Sequence, residues 1–495
     1  MTSWPDRGTL QVRPAQLNPS PGPREIVGDM SDDVSSMVTR ARIAQGAIAH
    51  YSQEQVDELV TAVAWAVARK DRAEALAQLA VDEGGFGNYP DKVIKINKRV
   101  LGVLRDMRSV STVGVVSEDA ERGLVMIAKP VGVVAALIPT TGPDATPPVK
   151  TLFALKGRNA IIIAPHPRTK RTSQAVVGFM REACEQVGAP ADLVQVISTP
   201  SIARTQELMS QADLIVATGG HAMVHAAYSS GTPAYGVGVG NAIHVVDETA
   251  DLDDAAQAIA TAKTFDYATS CLADNAVLAE ASIHDALLDR LVAAGGHLCS
   301  DAERAALQRL MWPTGGGIPV LEVIAKPAPH IAELAGFTIA ADRTFLIVGH
   351  DGVRPQVGPE HPFSGEKLSV VLALYRYSGG IERAVELVNA ITDYQGAGHT
   401  CGIHTSSDEH VDALALGTRT ARVLVNQNLN EGAGSPRNGL PFTLSLSCGT
   451  WGGNITTENI NARHFINLTW VSRPVPPRPA EEEELFATHW ARYGR

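Results

Sequence analysis

The sequence predicts an α/β protein built on a Rossmann-like, doubly wound parallel sheet, followed by a second α/β region. Three features of the chain predict it. From residue 131 onward, short apolar runs recur without polar alternation, as expected of strands covered on both faces. Between them lie stretches whose apolar residues repeat at helical spacing. The 495 residues, 45% hydrophobic and 19% charged, form an ordinary globular composition. That length is sufficient for about three domains with a large core.

The elements follow in order. Residues 1–28 are Pro-rich and unpatterned and are expected to be a loose leader. Ser52 and Gln55 have the spacing of a capping box, and Val56, Leu59, Val60, Val63, Ala64 and Val67 then fall on one helical face. Asp71 is the expected cap of the next helix, which Gly84-Gly85 ends, and Pro90 opens another that runs to about residue 104. A hairpin is expected from 111–116 and 123–128 around the charged turn 118–122. Strands are then expected at 133–138, 160–164, 194–197, 214–217 and 234–239, with helices at 144–155, 172–187, 202–210 and 222–229. Ligands of such sheets lie at the carboxyl ends of the strands, here the loops 139–144, 165–170, 218–221 and 236–241. The second α/β region, 243–433, has expected strands at 275–278, 345–348 and 370–375 and a Gly-rich loop at 315–319. One further strand is expected at 465–471, before a Pro-rich spacer, an acidic run at 481–484 and an aromatic tail.

Composition excludes several functions. A net charge of −11 is unsuited to gripping a nucleic-acid backbone. Five cysteines do not form a disulfide framework, and they fit a reducing cytoplasm. No apolar segment in residues 1–20 marks a secretory signal, and the longest apolar run, 131–138, is too short to span a membrane. No two cysteines have Cys-x-x-Cys spacing, so no metal site is expected.

Chemistry concentrates in a few places. Cys271 follows small and polar residues, Thr264-Phe-Asp-Tyr-Ala-Thr-Ser270, and precedes an apolar strand. A thiol at such a junction can be an exposed nucleophile with a backbone oxyanion donor, or a buried core cysteine. Cys184, Cys299, Cys401 and Cys448 read as structural. Thr218-Gly219-Gly220 follows a strand and precedes a helix, a natural dinucleotide position. Gly236-Val-Gly238-Val-Gly240-Asn241 lets backbone approach a flat or anionic ligand, or forms a tight turn. His166, Pro167 and Arg168, with Lys170 and Arg171, follow the second strand, and no acid occurs between residues 161 and 175. That loop would tolerate a 2′-phosphate on a dinucleotide ribose, or it is a solvated helix start.

These pieces in this order resemble one family. Pro139-Thr140-Thr141-Gly-Pro143, Ala164-Pro-His-Pro-Arg168, Ala217-Thr-Gly-Gly220, residues 236–241, the Cys271 segment, Glu366-Lys-Leu-Ser369, Gly398-His399-Thr400 and Cys448-Gly-Thr-Trp-Gly-Gly-Asn454 are similar to the CoA-acylating branch of the aldehyde dehydrogenase superfamily. The resemblance covers about residues 30–475. It implies the aldehyde dehydrogenase fold, with a dinucleotide-binding domain at 29–110 and 129–242, a catalytic domain at 243–440, an oligomerisation arm at 111–128 and 441–475, and a tail at 476–495. It implies Cys271 as the nucleophile, NADP or NAD as cofactor, CoA as co-substrate, Glu366 at the nicotinamide ribose and a homodimer or homotetramer. His399 becomes a proton acceptor for the CoA thiol. The hydrolytic enzymes carry an acid where this chain reads Tyr235-Gly-Val-Gly-Val-Gly-Asn241, and its absence favours acyl transfer over hydrolysis. Gly142 stands where related enzymes often have Asn, leaving the oxyanion to Thr141 and the Cys271 N–H, and Val370 replaces a common Pro.

The segments 41–56 and 264–271 and the Phe486, Trp490 and Tyr493 tail look most like the acylating sulfoacetaldehyde dehydrogenases. Arg437 and Asn438 are then the expected sulfonate ligands, or members of an exposed loop. Acetaldehyde, propionaldehyde and succinic semialdehyde are the alternative substrates. A hydrolytic enzyme and an idle structural protein of the same fold are the alternative functions.

Overall fold

Local chemistry sets the helical opening. The structure, a computed structural model, describes residues 33–350 and 356–495, so the expected leader lies outside the described residues. Asp33 caps helix Val34–Ile48, and the Ser52–Gln55 capping box starts helix Gln53–Ala68, whose expected apolar face is buried. Asp71 is not the cap of the next helix. Lys70–Gly84 begins at Arg69, and Asp71 lies inside its first turn, 2.7 Å from the Arg69 Nε. The side chain that could cap is instead held by a guanidinium. That helix ends at Gly85, whose φ of 69° is the left-handed conformation glycine adopts without strain. Asn88 caps helix Tyr89–Met107, with Pro90 in its first turn.

A five-stranded, all-parallel sheet follows, in the order Val194–Val196, Ala160–Ala164, Val133–Leu137, Leu214–Thr218, Ala234–Val237. Its first strand in the chain is central, and the next two pairs lie on opposite sides of it. The chain therefore reverses direction across the sheet beside Val133–Leu137, opening a crevice at the carboxyl ends of that strand and of Leu214–Thr218. The loops after these strands, 138–145 and 219–220, occupy that crevice. The N-terminal helices and this sheet share one core, which Phe442, Ile460, Ala462 and Phe465 join from the far end of the chain.

The second sheet has seven parallel strands, in the order Gly296–Leu298, Phe345–His350, Val371–Tyr377, Ala276–Glu280, Ile243–Val246, Cys401–His404, Val423–Val425. Three were expected. The other four are only three or four residues long, and three of them contain Gly, His or Cys, so they leave no long apolar run. The third sheet is antiparallel. Leu124–Pro130 pairs with Gly114–Asp119 on one edge and with Ile466–Ser472 on the other. Helix Glu482–Tyr493 at the end of the chain buries no residue. Among the described residues no helix is long and apolar enough to cross a membrane.

Candidate active site

One cavity of about 980 Å³ joins the loops of both parallel sheets. Pro139, Thr140, Thr141, His166, Thr218, Gly219, Gly220, Gly238, Gly240, Cys271 and Glu366 all line it. Eleven residues from six separated stretches of sequence thus converge on one space.

Cys271 reaches it through an unusual segment. Helix Leu252–Thr264 ends, and Asp266, Tyr267 and Ala268 follow at φ of 49°, 50° and 62°. Three consecutive non-glycine residues in the left-handed region cost of order 1 kcal/mol or more each and persist only where surroundings enforce them. Asp266 does so. Its Oδ2 receives Lys95 Nζ at 2.7 Å, Lys92 Nζ at 3.2 Å and Thr269 Oγ1 at 2.8 Å, and its Oδ1 receives the Asn88 N–H at 3.0 Å. Burial alone would raise the Asp266 pKa, but Lys95 and Lys92 outweigh it and hold the carboxyl below the usual range. Lys95 also donates to the Thr141 carbonyl at 3.4 Å, tying the segment before Cys271 to the loop after the central strand.

The thiol is half-buried. Burial, with Glu366 and Cys448 nearby, pushes it up to about 12, against the opposing pull of Arg422. Burial likewise pushes the Glu366 carboxyl up to about 8, against the Gly240 N–H and the buried Lys367 and Lys263. Gly240 explains the close approach of these groups. A Cβ there would fall 2.6 Å from the Cys271 Cβ and 2.8 Å from Glu366 Oε1, so only glycine fits.

The cavity walls suit a dinucleotide. Gly220 caps helix His221–Ser229, and a Cβ added there would enter open space, so backbone N–H groups are free to meet a phosphate. Arg168 is exposed and lies over the ring of Phe86, 5.7 Å from its centroid, and Phe86 lines the cavity. The cation therefore stands at the rim, while Pro167 is outside the lining.

Other expected residues lie elsewhere. His399 is fully buried and does not line the cavity, although Gly396 and Ala397 do. Both its ring nitrogens lack hydrogen-bond partners among the described residues, and burial beside Arg422 pushes its pKa down to about 3. Arg437 and Asn438 are not brought to the site. The Arg437 side chain is 72% exposed and pairs with Glu431 at 3.5 Å. Asn438 is bonded to Gln427 at 2.9 Å and to the Glu431 carbonyl at 3.1 Å. The loop they share turns outward, and the cations that line the cavity are Lys95 and Arg99. Sequence reasoning missed both. Arg99 shares the stripe of helix Tyr89–Met107 with buried Ile96 and Val103, which marks it as inward-facing but not what it faces, and Lys95 leaves no such mark. Cys448, read as structural, sits against Gly238 and close enough to Cys271 to raise its pKa. Outside the cavity, His297, Cys299 and Glu303 bring three potential metal-ligand atoms within 4.8 Å of one another, but Glu303 Oε2 is already engaged in capping at Ser300.

Comparison with known proteins agrees with this geometry. The aldehyde dehydrogenase family matches residues 20–304. A sulfoacetaldehyde dehydrogenase of an Acholeplasma species is 43% identical over 461 residues, 92% of this chain and 94% of that protein. An acylating sulfoacetaldehyde dehydrogenase of Cupriavidus necator is 43% identical over 494 residues, 98% of this chain and 96% of the relative. The crystal structure of a Rhodopseudomonas palustris propionaldehyde dehydrogenase, with bound CoA and an acylated cysteine, superposes with a TM-score of 0.79 at 26% identity, covering 90% of this chain and 98% of that one. The chain belongs to the aldehyde dehydrogenase family, in its CoA-acylating branch.

Proposed function

We propose that the protein oxidises a short aldehyde, sulfoacetaldehyde above others, to its acyl-CoA with NADP or NAD. The observation that carries the reading is the convergence of Cys271, the glycine loops and Glu366 on one cavity. The deprotonated Cys271 sulfur adds to the aldehyde carbon, and the carbonyl electrons move to oxygen, giving a thiohemiacetal. Thr141 and the Cys271 N–H would stabilise that oxygen. Thr218, Gly219, Gly220, Gly238 and Gly240 would hold the dinucleotide, with Glu366 at its ribose and His166 and Arg168 toward a 2′-phosphate. When bound, that cofactor supplies the hydride acceptor that makes the adduct a thioester. The CoA sulfur then attacks the thioester carbonyl, and Cys271 leaves as thiolate.

Among the described residues two carboxylates line the cavity, Glu366 and Asp393. Asp393 is exposed and paired with Arg419, and Glu366 is held largely protonated near neutral pH. The segment Tyr235–Asn241, where the hydrolytic enzymes carry their acid, has none, which supports transfer to CoA over hydrolysis. His399 as acceptor of the CoA proton would require a movement that brings its ring to the cavity. The exposed antiparallel sheet supports assembly into a dimer or tetramer. The five free cysteines support residence in the cytoplasm.

The test is reduction of NADP and of NAD by the purified protein with sulfoacetaldehyde, with and without CoA. Turnover that depends on CoA, yields sulfoacetyl-CoA and vanishes in Cys271→Ala is expected. Turnover without CoA that yields free acid would overturn acylation. Turnover restricted to acetaldehyde, propionaldehyde or succinic semialdehyde would keep the mechanism and replace the substrate.

A further inference from the structure

Arg99 lies on helix Tyr89–Met107 among buried Ile96, Val100 and Val103. It is 7% exposed and lines the cavity. Its Nη1 donates to the carbonyls of Ala433 at 2.8 Å and Gly434 at 3.2 Å, and its Nη2 to that of Asn430 at 3.1 Å. These contacts fix the fork without neutralising it. Among the described residues no carboxylate lies within 4.0 Å of Arg99, and Glu431, the acid whose field reaches it, is paired with Arg437. Lys95 differs, since Asp266 at 2.7 Å and Asp144 at 3.8 Å compensate it. Burial pushes the Arg99 guanidinium down only to about 10, so it keeps its charge at neutral pH, and Cys271 is close enough to enter its field. A buried charge without a counter-ion is costly unless something anionic arrives to meet it.

We infer that Arg99 selects the substrate by pairing with an acidic group, sulfonate or carboxylate, carried on the carbon chain of the aldehyde. This rests on the proposed reading of Cys271 as the aldehyde-binding nucleophile. Arg99 thereby takes the specificity role that the sequence suggested for Arg437. A planar guanidinium matches the spread oxygens of either anion, and a neutral aldehyde would leave it uncompensated.

Two measurements on the full-length protein test it. The first needs no dehydrogenase activity. Cys271 is alkylated with anionic iodoacetate and with neutral iodoacetamide, and the modified peptide is quantified by mass spectrometry. The iodoacetate-to-iodoacetamide rate ratio is expected to fall about tenfold or more in Arg99→Gln and to recover in Arg99→Lys. Equal ratios in wild type and Arg99→Gln overturn the inference. Should Arg99→Gln not fold, the wild type decides, because 2-hydroxyethanesulfonate must slow alkylation by iodoacetamide, and no slowing overturns it.

The second measurement compares kcat/KM for sulfoacetaldehyde, succinic semialdehyde and propionaldehyde, each with CoA. In Arg99→Gln the preference for the anionic substrates over propionaldehyde is expected to drop about 100-fold. Equal losses on all three overturn the inference and assign Arg99 a structural role. Loss confined to one anionic substrate identifies which anion the site takes. Absence of CoA-dependent turnover with every aldehyde in the wild type would overturn the proposed function, while the alkylation ratio would still decide the role of Arg99.

Discussion

The proton on Cys271 is hard to remove. Burial and the neighbouring Glu366 both raise the thiol pKa, to about 12. Cys271 is therefore a thiol at neutral pH, and its reaction with an electrophile needs the thiolate. Alkylation of Cys271 by iodoacetamide is expected to be slow at pH 7 and to rise about tenfold per pH unit up to pH 9, read by peptide mass spectrometry. A flat rate between pH 7 and 9 would mean that a thiolate is already formed. The sign of the Glu366 effect follows from its charge. Above pH 8 its carboxylate opposes ionisation of the thiol, so Glu366→Gln is expected to accelerate alkylation at pH 9 several-fold, measured in the same assay. A slower rate in that variant would identify Glu366 as a base acting on the thiol. These groups share one cavity because Gly240 has no side chain, which couples a backbone choice to the chemistry of the site.

At the scale of elements, the segment Phe265–Ala268 holds the site in place. Its left-handed residues depend on one buried carboxylate and two lysines. Replacing Asp266 with Ala would leave Lys92 and Lys95 without that partner and is expected to cost about 3–5 kcal/mol of stability. Thermal unfolding would measure it, and a loss below about 1 kcal/mol would show that the strain is held by other contacts. The folded-state pKa of Asp266 is lowered, so its contribution is present at neutral pH and is lost as pH falls below the ordinary carboxylate value of about 3.9. The glycine loop 218–220 was legible in the sequence because it follows a short continuous apolar run, Leu214–Thr218, and precedes a helical pattern. The residues behind the site were not. Asp266, Lys95 and Arg99 act across intervals of more than 150 residues, and no local pattern joins them. Arg437 misled for the converse reason. An Arg in a Gly-Ser-Pro loop reads as a ligand, but only the fold shows that Arg99 already occupies the carbonyls of that loop and that Arg437 faces water.

At the scale of the whole molecule, the antiparallel sheet raises a question of cover. Gly114–Asp119 and Ile466–Ser472 are both open edges, and such edges invite pairing with another chain. On the second edge Leu468 and Trp470, two residues apart and therefore on one face, remain 43% and 55% exposed. Large apolar side chains on an open edge are what a subunit interface covers, and a second copy of the chain is the simplest body to cover them. The protein is therefore expected to elute as a dimer or tetramer in size-exclusion chromatography with light scattering. Leu468→Asp combined with Trp470→Asp places two charges on that face. In a symmetric contact each change is repeated in the partner, and two buried apolar groups lost per subunit weaken association by at least about 100-fold in Kd. At micromolar concentration the double variant should shift to a smaller species while keeping its helical circular dichroism. An unchanged mass would place the interface elsewhere on the molecule, and a monomeric wild type would leave the sheet as a free edge held apart only by its charged turn, Asp119 to Arg122.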